Sequence, residues 1–360
     1  MLKISLYSLS IIILYLLLWP VSIAPIAWQA PVNDGFTGDF KQNQKLANIK
    51  IIPLPDTHGA EAIAHKENII FASTREGWII RYDELTGEVS KWVNTQGSPL
   101  GIAFDSRGNL IVADAYRGLL SIASSGQITL LTNSVNGQSI LYADDLDIAD
   151  DGKIYFSDAS SKFGAEQFGG TYPASRLDIL EHGGHGRLLV YDPNTQTTEI
   201  VMEGLNFANG VAIDKQSQFV LVCETGSYRI HKYWLKGDKA GTSEILIDNL
   251  PGFPDNVVRG YEGRFWVGLV SPRNQLLDNV SAMPILRKIV YRLPDSLQPQ
   301  AQHYSHVFAI DGNGKVVTSL QDPEGHYHTN TGALESEQWL YISSLQAADF
   351  ARINKQLIGL

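Results

Sequence analysis

The sequence predicts an all-β protein, a six-bladed β-propeller, with an N-terminal transmembrane helix. Three observations carry this reading: an uncharged apolar run at the start, a strand–turn–strand unit that recurs six times after it, and the near absence of helical periodicity elsewhere. At 360 residues the chain can form one large β domain. Its 32 glycines and 15 prolines, spread without low-complexity tracts, suit a turn-rich globular fold rather than a disordered one. A net charge of −10 with no basic patch excludes nucleic acid as a partner. The single cysteine, Cys223, leaves no internal disulfide, and its apolar setting, FVLVCETG, is that of a small core residue.

The apolar run extends from Ile4 to Trp28 without a charge. At about 1.5 Å per residue it is long enough to cross a bilayer as a helix. Pro25 after Ala24 spoils the small-residue pattern of a signal-peptidase site, so the segment reads as an uncleaved anchor. The amino group and Lys3 precede the run while Asp34 and Asp39 follow it, which places the tail in the cytoplasm and the rest outside. The expected division is residues 1–28 as cytoplasmic tail and transmembrane signal anchor, 29–50 as a linker leading into the propeller, and 51–360 as the propeller. Its side of the membrane is the periplasm in a bacterium, and the lumen or cell surface in a eukaryote.

The repeats are AEAIAHKENIIFAS, LGIAFDSRGNLIVAD, DDLDIADDGKIYFSD, NGVAIDKQSQFVLVCE, DNVVRGYEGRFWVGL and TGALESEQWLYISS. Each gives an apolar strand, a polar turn and a second apolar strand, and most starts are spaced by roughly 40 to 45 residues, one propeller blade. Further short β runs, such as GWIIRYD and GRLLVYD, supply the remaining strands. In a closed propeller the inner strand of every blade lines the axis, so one repeat position becomes a ring. That ring is Glu61, Leu100, Asp144, Asn209, Asp255 and Thr331. Three carboxylates and an amide on one axis repel unless a cation sits among them. Oxygen donors without imidazole or thiol select a hard ion, Ca²⁺ before Mg²⁺ or another divalent ion. Asp and Asn also start strands as turn residues, but four in register ask for more than turn chemistry.

The stretches SPLGIAFDSRGNLIVADAYRGL, DDGKIYFSDASSKF, GRLLVYDPNT, HKYWLKGDKAGTSEILIDNLPGFPDNV and VTSLQDPEG resemble the strictosidine synthase-like propellers, in particular the adipocyte plasma membrane-associated protein-like branch. The resemblance runs from about Gly59 to Ile353 and includes a single N-terminal span. It implies a relation to gluconolactonases and paraoxonases, whose central calcium activates water or polarises an ester, lactone or phosphoester oxygen. It places metal ligands on Glu61, Asp144, Asn209 and Asp255, with Asn256 beside them. Two departures matter. The paraoxonase-type histidine of the second blade is Leu100, and the synthase's catalytic glutamate, expected after the FWV strand, finds only GLVSPRNQ. Hydrolysis of a small-molecule ester or lactone therefore fits better than condensation, with Asp255 or Asp144 taking the proton of water. The alternative is a non-catalytic, membrane-tethered binding module with structural calcium. Asp144 stands where these relatives usually carry asparagine.

Four histidines, His182 and His185 in EHGGHG and His326 and His328 in GHYH, have the look of metal pairs but lack partners at zinc spacing. His306 reads as the head of an outer strand in the last blade, in a structural role. Two long insertions, one from Ala159 between the third and fourth blades and one from Ser271 within the fifth, are expected to shape a pocket. In the second, Ile285, Leu286, Ile289, Val290 and Leu293 keep helical spacing, as in an amphipathic lid, a helix resting on a bilayer, or a packed core helix.

Overall fold

Each repeat folds into a four-stranded antiparallel sheet because short apolar runs are separated by turns that the side chains themselves close. In the second repeat, Asp105 Oδ1 accepts from the N–H groups of Arg107 (2.9 Å) and Asn109 (2.8 Å). Gly108 completes that turn at φ +83°, where a Cβ would be strained. The structure, a computed structural model, describes residues 2–360. Met1, whose amino group counts in the orientation argument, lies outside the described residues.

Blade 1 runs from strand Ile63–Lys66 to Val89–Asn94, blade 2 from Pro99–Phe104 to Ile128–Thr132, and blade 3 from Ala143–Ile148 to Thr197–Leu205. Blade 4 runs from Ala208–Ile213 to Ser243–Ile247, and blade 5 from Gly252–Arg259 to Val316–Asp322. Strands pair in chain order within these sheets. Blade 6 differs: its inner three strands, Asn330–Glu335, Trp339–Ser344 and Asp349–Asn354, are completed by Lys50–Pro53 from the other end of the chain. Lys50 pairs with Arg352 and Pro53 with Asp349.

Second strands such as Leu110–Asp114 and Phe219–Glu224 are buried throughout, as continuous apolar runs require when both faces meet a neighbouring blade. The core is accordingly divided into interfaces. Phe71 and Ile79 pack with Val112 and Leu120 between blades 1 and 2, and Ile111 and Leu119 with Phe156 and Leu189 between blades 2 and 3. Equivalent clusters join blades 3 and 4, 4 and 5, and 5 and 6, and the last, with Phe350 and Tyr341 against Ile70 and Ile80, returns to blade 1. Truncating one of these side chains, as in Leu120→Ala, is expected to cost about 2–5 kcal/mol. Cys223 is buried in the interface of blades 4 and 5.

Both insertions form a cap. The first lies wholly inside blade 3, between Ile154–Asp158 and Gly186–Asp192, not between blades 3 and 4, and its chain passes through a helix over Thr171–Glu181. The second, inside blade 5 between Arg264–Pro272 and Ser305–Asp311, contains helices Gln275–Asn279 and Pro284–Arg292. With the N-terminal helix Leu2–Leu18, these are α1 to α4 in chain order. In α4, Val290 enters the cap core while Ile285 and Leu286 remain exposed. His306 belongs to the third strand of blade 5, correcting its expected place in the last blade.

The apolar N-terminus is shorter as a helix than its sequence suggests. α1 has 17 residues, and among the described residues no helix is long and apolar enough to cross a membrane. The expected continuous span to Trp28 is thus corrected. Pro20 lacks an N–H and disfavours helix in the residue before it, so the helix stops at Leu18. Beyond it the chain is an extended strap. Ile23 is buried in the cap core, and Trp28 stacks on His182 with 3.9 Å between ring centroids. The N–H groups of Ala24 and Ile26 donate to Glu181 Oε2 (2.6 Å) and its carbonyl (2.9 Å). Phe36 then stacks on Tyr304 at 4.6 Å, and the Leu46 N–H donates to the Gln321 carbonyl (3.0 Å) before the chain enters blade 6.

Candidate functional site

The inner strands break register at one place. Pairing skips between Pro99 and Ile102, Ala143 and Leu146, Ala208 and Val211, Pro254 and Val257, and Asn330 and Ala333. Each skip is a bulge that leaves two residues unpaired and re-aims their side chains. The first of each pair is Leu100, Asp144, Asn209, Asp255 or Thr331. In blade 1 the same place is held by Glu61, whose N–H donates to the Ser73 carbonyl (3.2 Å) just before the strand begins. The expected ring is therefore a ring of bulges. Glycine follows Asn209 because the blades approach closely there: a Cβ on Gly210 would lie 2.3 Å from the Val257 nitrogen.

Glu61, Asp144, Asn209, Asp255 and Asn256 are all buried. Asn256 Nδ2 donates to Glu61 Oε1 (2.9 Å) and to the Glu61 carbonyl (3.1 Å). Burial, then the charge of Asp255, drives the Glu61 carboxyl well above its usual range. Burial, then Glu61 and Asp255, does the same to Asp144. Asp255 is pushed up to about 8 by burial and then by Asp145, against a smaller lowering by the Asn209 side chain. The three acids thus feel one another, and the site is short of positive charge.

It is also short of donors. Glu61 Oε2, Asn209 Oδ1 and Asn256 Oδ1 are buried with no hydrogen-bond partner. An orphaned buried oxygen costs about 1–3 kcal/mol, and three of them belong to residues of this one site. No group of three or more His, Cys, Asp or Glu side chains among the described residues makes a metal site by itself. The amide oxygens of Asn209 and Asn256 are what would complete a set of hard oxygen donors, which fits calcium. Leu100 and Thr331 stand outside that set. Leu100 packs in the cap core, and Thr331 Oγ1 donates to the Glu61 carbonyl (2.6 Å), holding the backbone that presents the glutamate.

Sequence reasoning overlooked Asp145 and Tyr142. Asp145 accepts from its neighbour Leu146 N–H and from Val211 N–H in blade 4, each at 2.8 Å, and so ties two inner strands together. Tyr142 is buried edge-on to Phe207 (5.3 Å), and burial, then Asp144, holds its hydroxyl protonated well above its usual range. The available signal was an aromatic two residues before the ring position, shared by Tyr142, Phe207 and Phe253.

Above the ring lies a cavity of about 370 Å³ with Asn209 and Asp255 among its lining residues. Phe207 and Phe253 form part of its wall, with Leu177 and Leu180 of α2 and Val290 and Tyr291 of α4. The insertions do shape the pocket. A second cavity of about 280 Å³ is lined by the second residues of two bulges, Asp145 and Asn256, and by residues beyond them, including Asp147 and Arg259. The histidines go elsewhere. His185 pairs with Glu181 (2.7 Å), His326 with Asp322 (2.8 Å), and His328 stacks on His303 at 3.8 Å. His182, under Trp28, is lowered to about 3 by burial and then by Arg287.

The strictosidine synthase family model matches residues 144–238, and the strictosidine synthase-like N-terminal model matches residues 38–82. Strictosidine synthase-like protein 6 of Arabidopsis thaliana is 34% identical over 317 residues, 86% of this chain and 82% of that protein. The adipocyte plasma membrane-associated protein of Bos taurus is 30% identical over 359 residues, 93% of this chain and 84% of that protein. In fold, the chain is similar to a gluconolactonase of Xanthomonas campestris, with a TM-score of 0.62 at 17% identity over 94% of this chain and 99% of that one. It is likewise similar to regucalcin of Agrobacterium tumefaciens, described as calcium-binding, with a TM-score of 0.58 at 12% identity over 85% of this chain and 93% of that one. By these sequence matches the chain belongs to the strictosidine synthase-like family.

Proposed function

We propose that the protein is a calcium-dependent hydrolase of esters or lactones, held at the extracytoplasmic face of a membrane by its N-terminal segment. The observation that carries the reading is the ring itself: mutually repelling carboxylates and orphaned oxygens beside an apolar cavity. Glu61, Asp144, Asn209, Asp255 and Asn256 would hold the ion. When bound, it would supply Lewis-acid polarisation of a substrate carbonyl. Asp255, the one acidic residue lining the cavity among the described residues, accepts the proton of the attacking water. Phe207 and Phe253 keep bulk water away from that carboxylate. Where a condensing enzyme of the family would need its glutamate, Val270 and Ser271 line the wall, which favours hydrolysis.

Membrane attachment is supported by α1, whose large side chains from Tyr7 to Leu18 are mostly exposed and uncharged. External protease should digest the propeller in sealed cells. Protection until lysis would sink the topology.

The activity is tested on the full chain in detergent with aryl esters and lactones, with and without chelator. Turnover lost on chelation and restored by calcium is the expected result; turnover unaffected by chelation would overturn it. One observation favours a second reading, a binding module with structural calcium: position 100 offers leucine where an imidazole base would stand. Calcium that raises the thermal midpoint with no turnover of any ester or lactone would select it.

A further inference from the structure

The cavity has a division of labour that bears on what it holds. Most of its polar wall residues already bond within the protein. Arg176 donates to Asp295 Oδ1 (2.7 Å) and to Gln298 Oε1 (2.8 Å). Thr225 Oγ1 donates to the Pro254 carbonyl (2.6 Å), and Ser271 Oγ donates to the Pro272 carbonyl (3.1 Å) while accepting from Gln302 N–H (2.9 Å). Asn274 Oδ1 caps α3 by accepting from the N–H groups of Leu276 (3.0 Å) and Leu277 (3.2 Å). The Tyr291 hydroxyl shares a hydrogen bond with Ser22 Oγ at 3.1 Å. By contrast Asn209 Oδ1, on the ring, has no partner.

A ligand with many hydroxyls would leave water for a wall that offers it few free partners, and each unpaired group would cost affinity. A ligand with one polar group and a hydrocarbon body loses nothing there. Helix α4 adds a source for such a molecule. It presents Val290 and Tyr291 to the cavity, while Arg292 donates to the carbonyls of Leu16, in the last turn of α1 (2.8 Å), and of Trp19, just past its end (2.7 Å). The cavity wall and the exposed apolar helix are thus joined through one short element.

Resting on the hydrolase reading for the nature of the polar group, we propose that the substrate is a lipophilic ester or lactone drawn from a membrane. Its carbonyl would turn toward the ion that Asn209 and Asp255 would hold, and its hydrocarbon body lies between α2 and α4. Polyhydroxylated sugar lactones are not substrates.

The test uses the full chain in lipid nanodiscs and a series of straight-chain 2-alkanones, which keep the carbonyl and cannot be hydrolysed. Binding is read from the shift in thermal midpoint. Affinity should rise about three- to fourfold per added methylene until the cavity is full. Leu177→Trp, which fills the space beside α2, should flatten that dependence; because partition into the bilayer is the same for both proteins, the difference reports the cavity. Where that variant does not fold, Leu277→Trp replaces it. A flat series in the unmodified protein, the same slope in the variant, or gluconolactone binding as tightly as a long alkanone would each overturn the proposal. Ester turnover on the same samples separates the two readings. Turnover with a flat series refutes the lipophilic substrate and leaves the hydrolase; a steep series without turnover supports the lipophilic ligand and refutes the hydrolase.

Discussion

Glu61 in the ring and Glu181 in the cap are almost equally buried, 4% and 2% exposed, yet they are driven in opposite directions. Burial alone would raise Glu181, but hydrogen bonds from His185, Lys162 and the Ala24 N–H bring it down to about 2. Glu61 is raised by burial first and by the acid Asp255 next, with only the Asn256 amide to offset them. Burial pushes both carboxylates up; their partners decide whether that rise survives. The cap uses charge to fasten the strap to α2. The ring gathers charge of one sign and leaves oxygens unpaired, an arrangement that a cation, as proposed above, would relieve.

The largest expected effect is on chemistry. Asp255→Asn should lower kcat/KM for esters by ~10³-fold, because the proton acceptor beside the cavity is gone. A variant that keeps a tenth of the activity would remove Asp255 from that role.

The next concerns pH, and it sharpens the contrast in sign. Glu61, Asp144 and Asp255 all have folded values above their unfolded ones. Their contribution to stability is therefore fully present below the unfolded range, about 4, and is lost as pH rises through the folded values, about 8 for Asp255. In chelator the thermal midpoint should fall by on the order of 5 °C between pH 5 and 9, and calcium should abolish the fall. A metal-free protein equally stable across that window would mean that the ring acids do not share one space.

Charge removal should then act oppositely in the two regions. Glu181→Gln is expected to destabilise by about 1–2 kcal/mol, a modest figure because Lys162 is partly exposed to solvent. Glu61→Gln should raise the midpoint of the metal-free protein while abolishing its response to calcium. Calorimetry on both variants checks the pair, and a shared sign would break the comparison. The smallest effect is at Asp144. Asp144→Asn should weaken calcium binding by about tenfold and leave turnover at saturating calcium unchanged; unchanged affinity with turnover reduced ~10²-fold would make Asp144 the base instead.

Much of this was legible in the primary structure because a propeller writes its geometry locally. Asp144, Asn209 and Asp255 open repeats of the same form, and each falls at a bulge of an inner strand. What failed was anything decided by distant contacts. Val21, Ile23 and Trp28 are apolar, and hydropathy cannot tell a lipid neighbour from Phe163 or His182. His306 was assigned to the wrong blade because the insertion before it hides the count of strands. Tyr142 and Asp145 escaped because their roles come from Phe207 and Val211 across a blade boundary.

The pairing of Lys50–Pro53 with Asp349–Asn354 also has a temporal meaning. The first strand to be synthesised has to wait for the last, so blades 1 to 5 can zip by short-range pairing while closure of the circle is the most non-local contact in the molecule and entropically the most costly to reach. Until Asn354 has been made, both the blade 1 face of Ile70 and Ile80 and the edge of Lys50–Pro53 lack their cover, and a nascent chain stalled short of that point carries an adhesive strand. Latching also makes unfolding cooperative: the circle resists fraying at either terminus, because neither end is free.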